Sequence, residues 1–465
     1  MKKIFISILS LGIVFSCGKT EKKNTAEKAD LVKEEVKETE TETILSVSDA
    51  MMENAVIYEA NIRQYSEEGS FNAFTKDIPV LKQLGVKILW IMPIYPISTT
   101  KSKGSLGSYY AISDYSKVNP EFGTIEDFRN LVKTAHDHGI YVILDWVANH
   151  TGWDHHWIKE HPEYYTKDKK GNITHTVDTD WTDVADLNYD SKEMREEMKK
   201  HMMYWVKEEG IDGFRCDVAG MVPIDFWKTT TEELNKIKPV FMLAESWEPE
   251  LLANGFDMGY AWDTHHKMND IAKGKANVID WDKRMKQIDS LYTKEDILMN
   301  FTSNHDENSW NGTVKERMGN ASEMFAALSY VAPGMPLIYS GQEYDMDKRL
   351  LFFEKDTILK NKGKFFTLYE KLGKLKNSNP ALHGGKKAAS YHKISTSEDD
   401  KVLAFRREKD NHQVIFLANM TKETLKFTIE YEGVFQDYLS GESVGIIPNE
   451  KLQFSPWQYR ILIKK

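Results

Sequence analysis

Between residues 55 and 340 the chain repeats one pattern, and this repetition constrains its fold more than any single motif does. Short apolar runs at 55–58, 86–92, 141–145, 213–217, 240–245, 297–301 and 336–340 alternate with amphipathic stretches such as 71–84, 125–138, 191–208 and 321–331. Continuous apolar runs of this length suit strands buried on both faces. Strand, helix, strand in repetition implies a parallel sheet covered by helices. Seven units are clear, and an eighth, faint strand is expected before Asp263. The fold class expected is α/β, a closed (β/α)8 TIM barrel, which takes about 250 residues or more.

The chain has 465 residues, so other parts flank the barrel, expected at 51–380. The run 151–185 is polar, rich in His, Trp and Asp, and breaks the rhythm as a short lobe inserted after the third strand. Beyond Pro380 the pattern changes to alternating segments at 401–406, 413–419 and 425–431. These predict a C-terminal antiparallel β-sandwich over 381–465.

The N-terminus carries addressing information. Lys2 and Lys3 precede an apolar stretch, so 1–16 reads as an export signal. That stretch falls short of the ~20 residues a membrane span needs. Val14, Phe15, Ser16 and Cys17 resemble a bacterial lipobox, which makes Cys17 the expected lipid anchor of a membrane lipoprotein, with the outer membrane favoured. The alternative is an ordinary cleaved signal that happens to precede a cysteine. From 17 to 50 the chain has no aromatic residue and is dominated by Lys, Glu and Thr, the composition of a solvated tether. The only other cysteine, Cys216, lies in an apolar strand and is better explained as a small buried residue than as a reactive thiol. Lys and Arg sum to 61 against 71 acids, with no basic cluster after the N-terminal segment, which makes nucleic acid an unlikely partner.

Reacting groups in a parallel barrel sit where strands end. Four strands here end in polar residues: Asp145 to His150, Arg215 and Asp217, Glu245, and Asn304 to Asp306. Like charges in a confined mouth raise each other's pKa, an unfavourable arrangement unless chemistry uses it. Retaining glycoside cleavage does, with a carboxylate nucleophile and a protonated acid about 5–5.5 Å apart. Arg215, two residues before Asp217, projects to the same strand face and is expected to keep Asp217 ionised while Glu245 stays protonated. A metal-hydrolase reading of the same Asp and His residues lacks the usual ligand spacings.

These residues resemble the α-amylase family, glycoside hydrolase family 13. Its motifs occur in the family's order: D-x-x-x-N-H at 145–150, G-F-R-x-D at 213–217, Glu245 at a strand end and N-H-D at 304–306. The resemblance runs from about Met51 to Lys465 and implies an α-glucan or maltooligosaccharide substrate. By it, Asp217 is the nucleophile, Glu245 the acid and base, and Asp306 the group that grips the distorted sugar. His150, His305 and Arg215 become substrate-binding residues, with Tyr110 a stacking platform and Asp145 a support. Asn149 and Asp186 match two ligands of the family's structural calcium. The chain departs from the pattern after Asp217, where Gly220 and Met221 replace the family's Lys-His, which places the calcium in question. Family members also include transglycosylases, and the lipobox and tether admit a surface glycan-binding protein on an inactive barrel. Trp153, Trp157 and Trp181 are candidates either for stacking on further glucose units or for packing the lobe.

Overall fold

A computed structural model describes residues 45–464. The expected export signal, the expected anchor Cys17 and the expected tether up to residue 44 lie outside the described residues. Eight parallel strands close into a barrel: β1 Ile57–Ala60, β2 Ile88–Ile91, β3 Tyr141–Trp146, β4 Gly213–Cys216, β5 Phe241–Ala244, β6 Met258–Tyr260, β7 Ile297–Asn300 and β8 Met335–Tyr339. They pair in chain order, and β8 closes on β1 with Leu337 opposite Ile57. The faint eighth unit is β6, three residues with a glycine at the centre, too short to register as an apolar run.

Every residue of these strands is buried, and alternation along each strand divides their side chains between two cores. Ile57, Ile88, Trp90, Ile143, Phe241, Leu243, Met258 and Leu337 fill the interior. Their neighbours Tyr58, Leu89, Ile91, Leu144, Phe214, Met242 and Ile338 pack outward with the helices. Parity then decides what can face the mouth. Glu59, Asp145, Arg215, Asp217 and Glu245 share the interior parity of Ile57, Ile143, Gly213 and Leu243, whereas Cys216 has the outward parity and joins the helix-facing core.

The tether was expected to run to Ala50, and here the structure differs. Ser48 caps a short helix, Asp49–Met52, and Val47, Met51 and Ala55 belong to the interior core. The Tyr141 hydroxyl donates to the Ser46 carbonyl. Scattered apolar residues at 45, 47, 51 and 52, with no aromatic among them, bury enough surface to fold this segment into the barrel.

The inserted lobe leaves the barrel through an antiparallel pair, His150–Gly152 against Val184–Asp186, in which His150 faces Asp186. The C-terminal part is antiparallel, a six-stranded sheet with a two-stranded one. Val402, Ala404, Ile415 and Leu417 pack with Leu425, Phe427 and Phe454 of the smaller sheet. The alternate residues Leu403, Phe405, Val414 and Phe416 join the barrel's outer core.

Gly213 opens β4 at φ +146°, and a Cβ there would lie 1.9 Å from the Phe241 carbonyl oxygen of β5. We expect Gly213→Ala to destabilise the protein by more than about 4 kcal/mol, seen as a large fall in Tm. Gly274→Ala, with open space around its Cβ and φ +73°, should lose only about 1–2 kcal/mol from backbone strain. Equal melting of Gly213→Ala and wild type would contradict this account of the β4–β5 contact.

Candidate active site

Pairing between β4 and β5 ends with Cys216 beside Ala244, and one more rung, from the Glu245 N–H to the Cys216 carbonyl, carries it upward. Asp217 and Glu245 are the next residues in register, on neighbouring strands with the same inward parity. Adjacent strands stand about 4.8 Å apart, which suits the carboxyl separation of a retaining glycosidase. Arg215, with no exposed side-chain surface, lies between the acids: Nη1 is 3.0 Å from Asp217 Oδ1 and Nη2 is 2.8 Å from Glu245 Oε2.

The guanidinium is itself held from below. Its Nη1 donates to Asp145 Oδ1 at 2.8 Å, Nε donates to the Tyr260 hydroxyl at 3.2 Å, and the Trp90 ring lies 4.9 Å away. Asp145 Oδ2 accepts from Trp90 Nε1 and from the Tyr110 hydroxyl, both at 3.0 Å. A buried cation surrounded in this way stays charged, and a buried carboxylate with three donors needs no water.

Burial pushes the Asp217 carboxyl well above the usual range, and the charges of Glu245, Asp145 and Asp306 add to this while Arg215 opposes it. Burial also raises Glu245, opposed by Arg215 and by the Val218 N–H, which donates to Glu245 Oε2 at 2.8 Å. The two acids therefore titrate as one pair that retains a proton above the ordinary carboxylate range. Arg215, expected to keep Asp217 ionised, contacts Glu245 as closely as it contacts Asp217.

Val218 adopts φ +38° and ψ +47°, a left-handed conformation that a β-branched residue takes only under constraint. This turn aims its N–H at Glu245. Nothing in the local sequence signals the strain, which arises where the loop after β4 must meet the end of β5.

The mouth also contains a residue the sequence motifs do not mark. Glu59, fully buried at the end of β1, accepts from His305 Nδ1 at 2.5 Å. His305 Nε2 lies 2.8 Å from the Tyr110 hydroxyl and 3.3 Å from Asp306 Oδ2. Burial disfavours charge on His305, but Asp306 and Glu59 overcome it and raise its pKa to about 9. As an imidazolium it donates from both nitrogens, and Tyr110 accepts from it while donating to Asp145. A lone acid in the otherwise apolar run 55–60 was the available signal for Glu59.

His150 is buried, and burial lowers its pKa to about 4, so it is neutral. Its ring lies 5.6 Å from that of Trp181. Trp157 is buried in the lobe's core, while Trp153 donates to the Thr182 carbonyl beneath Lys101. Asn149 and Asp186 do approach each other, but through a hydroxyl: Asn149 Nδ2 donates to Thr176 Oγ1 at 3.0 Å, and Thr176 donates to Asp186 Oδ1 at 2.9 Å. Calcium needs six to eight oxygens, and no cluster of three or more His, Cys, Asp or Glu among the described residues could hold a metal ion. Asn149 and Asp186 would each supply a side-chain oxygen to such a hard cation, and backbone carbonyls and water would supply the rest.

Known proteins agree with this geometry. The family model described as alpha amylase, catalytic domain, matches residues 35–178 and 174–374. A noncanonic maltogenic alpha-amylase from Thermotoga neapolitana superposes with a TM-score of 0.81 at 30% identity, over 88% of this chain and 98% of that one. Alpha-amylase 3 of Dictyoglomus thermophilum is 25% identical over 83% of this chain and 88% of its own length. A 4-alpha-glucanotransferase of Thermotoga neapolitana is 29% identical over 60% of this chain and 68% of its own.

Two measurements check the site. Glu59→Gln removes a carboxylate that raises the His305 pKa, so the imidazole resonance of His305 should titrate near 9 in the wild type and at lower pH in the variant, toward the ordinary ~6.5. Identical titrations would contradict the pairing. Dialysis against EDTA tests the expected calcium: an ion held by Asn149 and Asp186 at a hundred times its Kd would contribute about 2.7 kcal/mol, read as a fall in Tm on its removal, and an unchanged Tm would contradict it.

Proposed function

The chain belongs to the α-amylase family of glycoside hydrolases, and from that premise we propose that it cleaves α-1,4-glucosidic bonds of starch or maltooligosaccharides with retention of configuration. The observation that carries this reading is the single guanidinium of Arg215 within 3.0 Å of both Asp217 and Glu245 at adjacent strand ends.

In the proposed reaction Asp217, ionised, attacks the anomeric carbon of the bound glucose while Glu245 gives its proton to the departing glycosidic oxygen. The C–O bond to the leaving sugar breaks as the bond to Asp217 forms, and a β-glycosyl ester results. Glu245, now ionised, removes a proton from water, which displaces Asp217 and yields the α-anomer. The proton retained by the resting pair supplies the first step. It must sit on Glu245 when the sugar arrives, and Asp217 then keeps Arg215 as its counter-charge. Once Glu245 has given up that proton, its hydrogen bond from the Val218 N–H and its contact with Arg215 support the carboxylate that activates water. Asp306, its side chain partly open to solvent, would grip hydroxyls of the distorted sugar. The neutral His150 would donate a further hydrogen bond, while the charged His305, with both N–H groups already engaged, would hold Tyr110 in place beneath the ring.

A second reading, transfer of the glycosyl group to another sugar, is supported by the likeness to a 4-alpha-glucanotransferase. It uses the same ester and differs only in the acceptor. We also propose export and acylation of Cys17, supported by the pattern of residues 1–17.

Maltoheptaose followed by NMR should yield new reducing ends with the α-anomer first, and Asp217→Asn should lower kcat by roughly four orders of magnitude or more. A β-anomer as first product would sink the retaining reading. Longer oligosaccharides with few new reducing ends would favour transfer. Labelled palmitate should enter the wild type but not Cys17→Ala.

A further inference from the structure

Asp306 has little to lock its own side chain. Among the described residues its one ion pair is with His305 Nε2, at 3.3 Å, and the carboxylate stands partly open to solvent. Its direction is therefore set by the backbone it leaves from. That backbone is unusual, because Asp306, at φ −72° and ψ −51°, leads into a π-helical turn, Glu307–Asn311. Such turns are rare and occur mostly at functional sites.

The next residue holds the turn. Glu307 Oε2 lies 3.0 Å from His265 Nε2 and 3.4 Å from Arg317 Nη1, while Oε1 accepts from Asn311 Nδ2 at 2.8 Å. His265 comes from the helix Trp262–Ala272, which follows β6, and Arg317 from the helix Val314–Met318, which follows the turn itself. Glu307, His265 and Arg317 are all buried. Burial works against charge on Glu307, but His265, Arg317 and Asn311 hold its carboxyl down at about 2.

The same two partners also grip the residues that follow β7. His265 Nδ1 donates to the Phe301 carbonyl at 2.9 Å, with its ring stacked on Phe301 at 4.4 Å, and Arg317 Nη2 donates to the Thr302 carbonyl at 2.6 Å. The Glu307 N–H closes the frame by donating to Asn304 Oδ1 at 2.7 Å. The stretch 301–307 is thus fixed at both ends, with Asp306 inside it. Successive residues of a helical turn leave it roughly 100° apart, so a Glu307 side chain pinned between two helices fixes the rotation at which Asp306 leaves the turn. Stability alone does not explain the ions, because apolar side chains of the same volume often replace buried charges without loss. What the ions add is direction.

We propose that Glu307 is the positioning residue of Asp306: through His265 and Arg317 it holds the π-helical turn at the angle that aims the Asp306 carboxylate at the distorted sugar. The inference rests on the retaining α-glucan reading above. Under that reading Asp306 acts in the transition state, so misaiming it lowers kcat and leaves KM nearly unchanged. A displacement of about 1 Å in such a group lowers the rate by about a hundredfold.

Removing Glu307 alone would leave Arg317 an unpaired buried charge, so the first variant removes both. Glu307→Leu combined with Arg317→Met keeps the volume and loses the charges, and kcat on maltoheptaose should fall about a hundredfold with KM within about twofold and Tm close to that of the wild type. Glu307→Asp, which keeps the charge and shortens its reach by one methylene, should lower kcat about tenfold. A cycle with Asp306→Asn shows what the loss acts through. With fluoride release from α-maltosyl fluoride as the readout, either change should slow Asp306→Asn by less than about threefold. A folded variant with wild-type kcat, or a loss that multiplies in full on Asp306→Asn, would overturn the positioning role and leave the proposed function intact. A wild type that releases no fluoride and cleaves no maltoheptaose would instead remove the α-glucan reading, and the role with it.

Discussion

A positive charge with no exposed surface can persist in a protein only if neighbouring groups replace the water it has lost, and at the centre of this barrel they do. Arg215 sits above the Trp90 ring and touches Asp145 below, Asp217 beside it and Glu245 opposite. Removing any one partner would leave buried charge uncompensated, an effect of several kcal/mol. The arrangement also explains why three acids can share a small space: the cation offsets part of their mutual repulsion, and a proton held by the Asp217–Glu245 pair offsets more. Barrel geometry, by placing Arg215 and Asp217 on one interior parity of β4, makes this cluster possible.

A second polar chain supports the first. Glu59, His305, Tyr110 and Asp145 are linked by hydrogen bonds that cross the mouth from β1 to β3. Its charges alternate, acid, imidazolium, hydroxyl, acid, so that each donor has an acceptor. The result is a cationic histidine facing Asp306 and a neutral one, His150, on the lobe side. Two histidines of one site thus differ in charge because only one has carboxylates against it.

Much of this was legible in the amino-acid sequence, because strand parity and strand-end chemistry are local properties. The apolar runs predicted seven strands, and the polar residues that close them include every acid that contacts Arg215. The remainder depends on tertiary contact. β6 was faint because three residues around Gly259 carry no periodicity. The fold's start at residue 45 was hidden because its few apolar residues bury themselves only against the barrel interior. Strain at Val218 and the charge of His305 are set by elements distant in sequence. The Asn149–Thr176–Asp186 bridge could not be foreseen, since a threonine in an irregular lobe gives no sign of what it will join.

The central claim is that Asp217, and not its neighbour across the guanidinium, forms the bond to sugar. Treating the enzyme with a fluorinated maltosyl fluoride, which slows the second step, and mapping the added mass by peptide sequencing tests it directly. The account predicts a single glycosyl adduct on the peptide that contains Asp217. An adduct on Glu245 or Asp306, or inactivation with no covalent sugar, would contradict it.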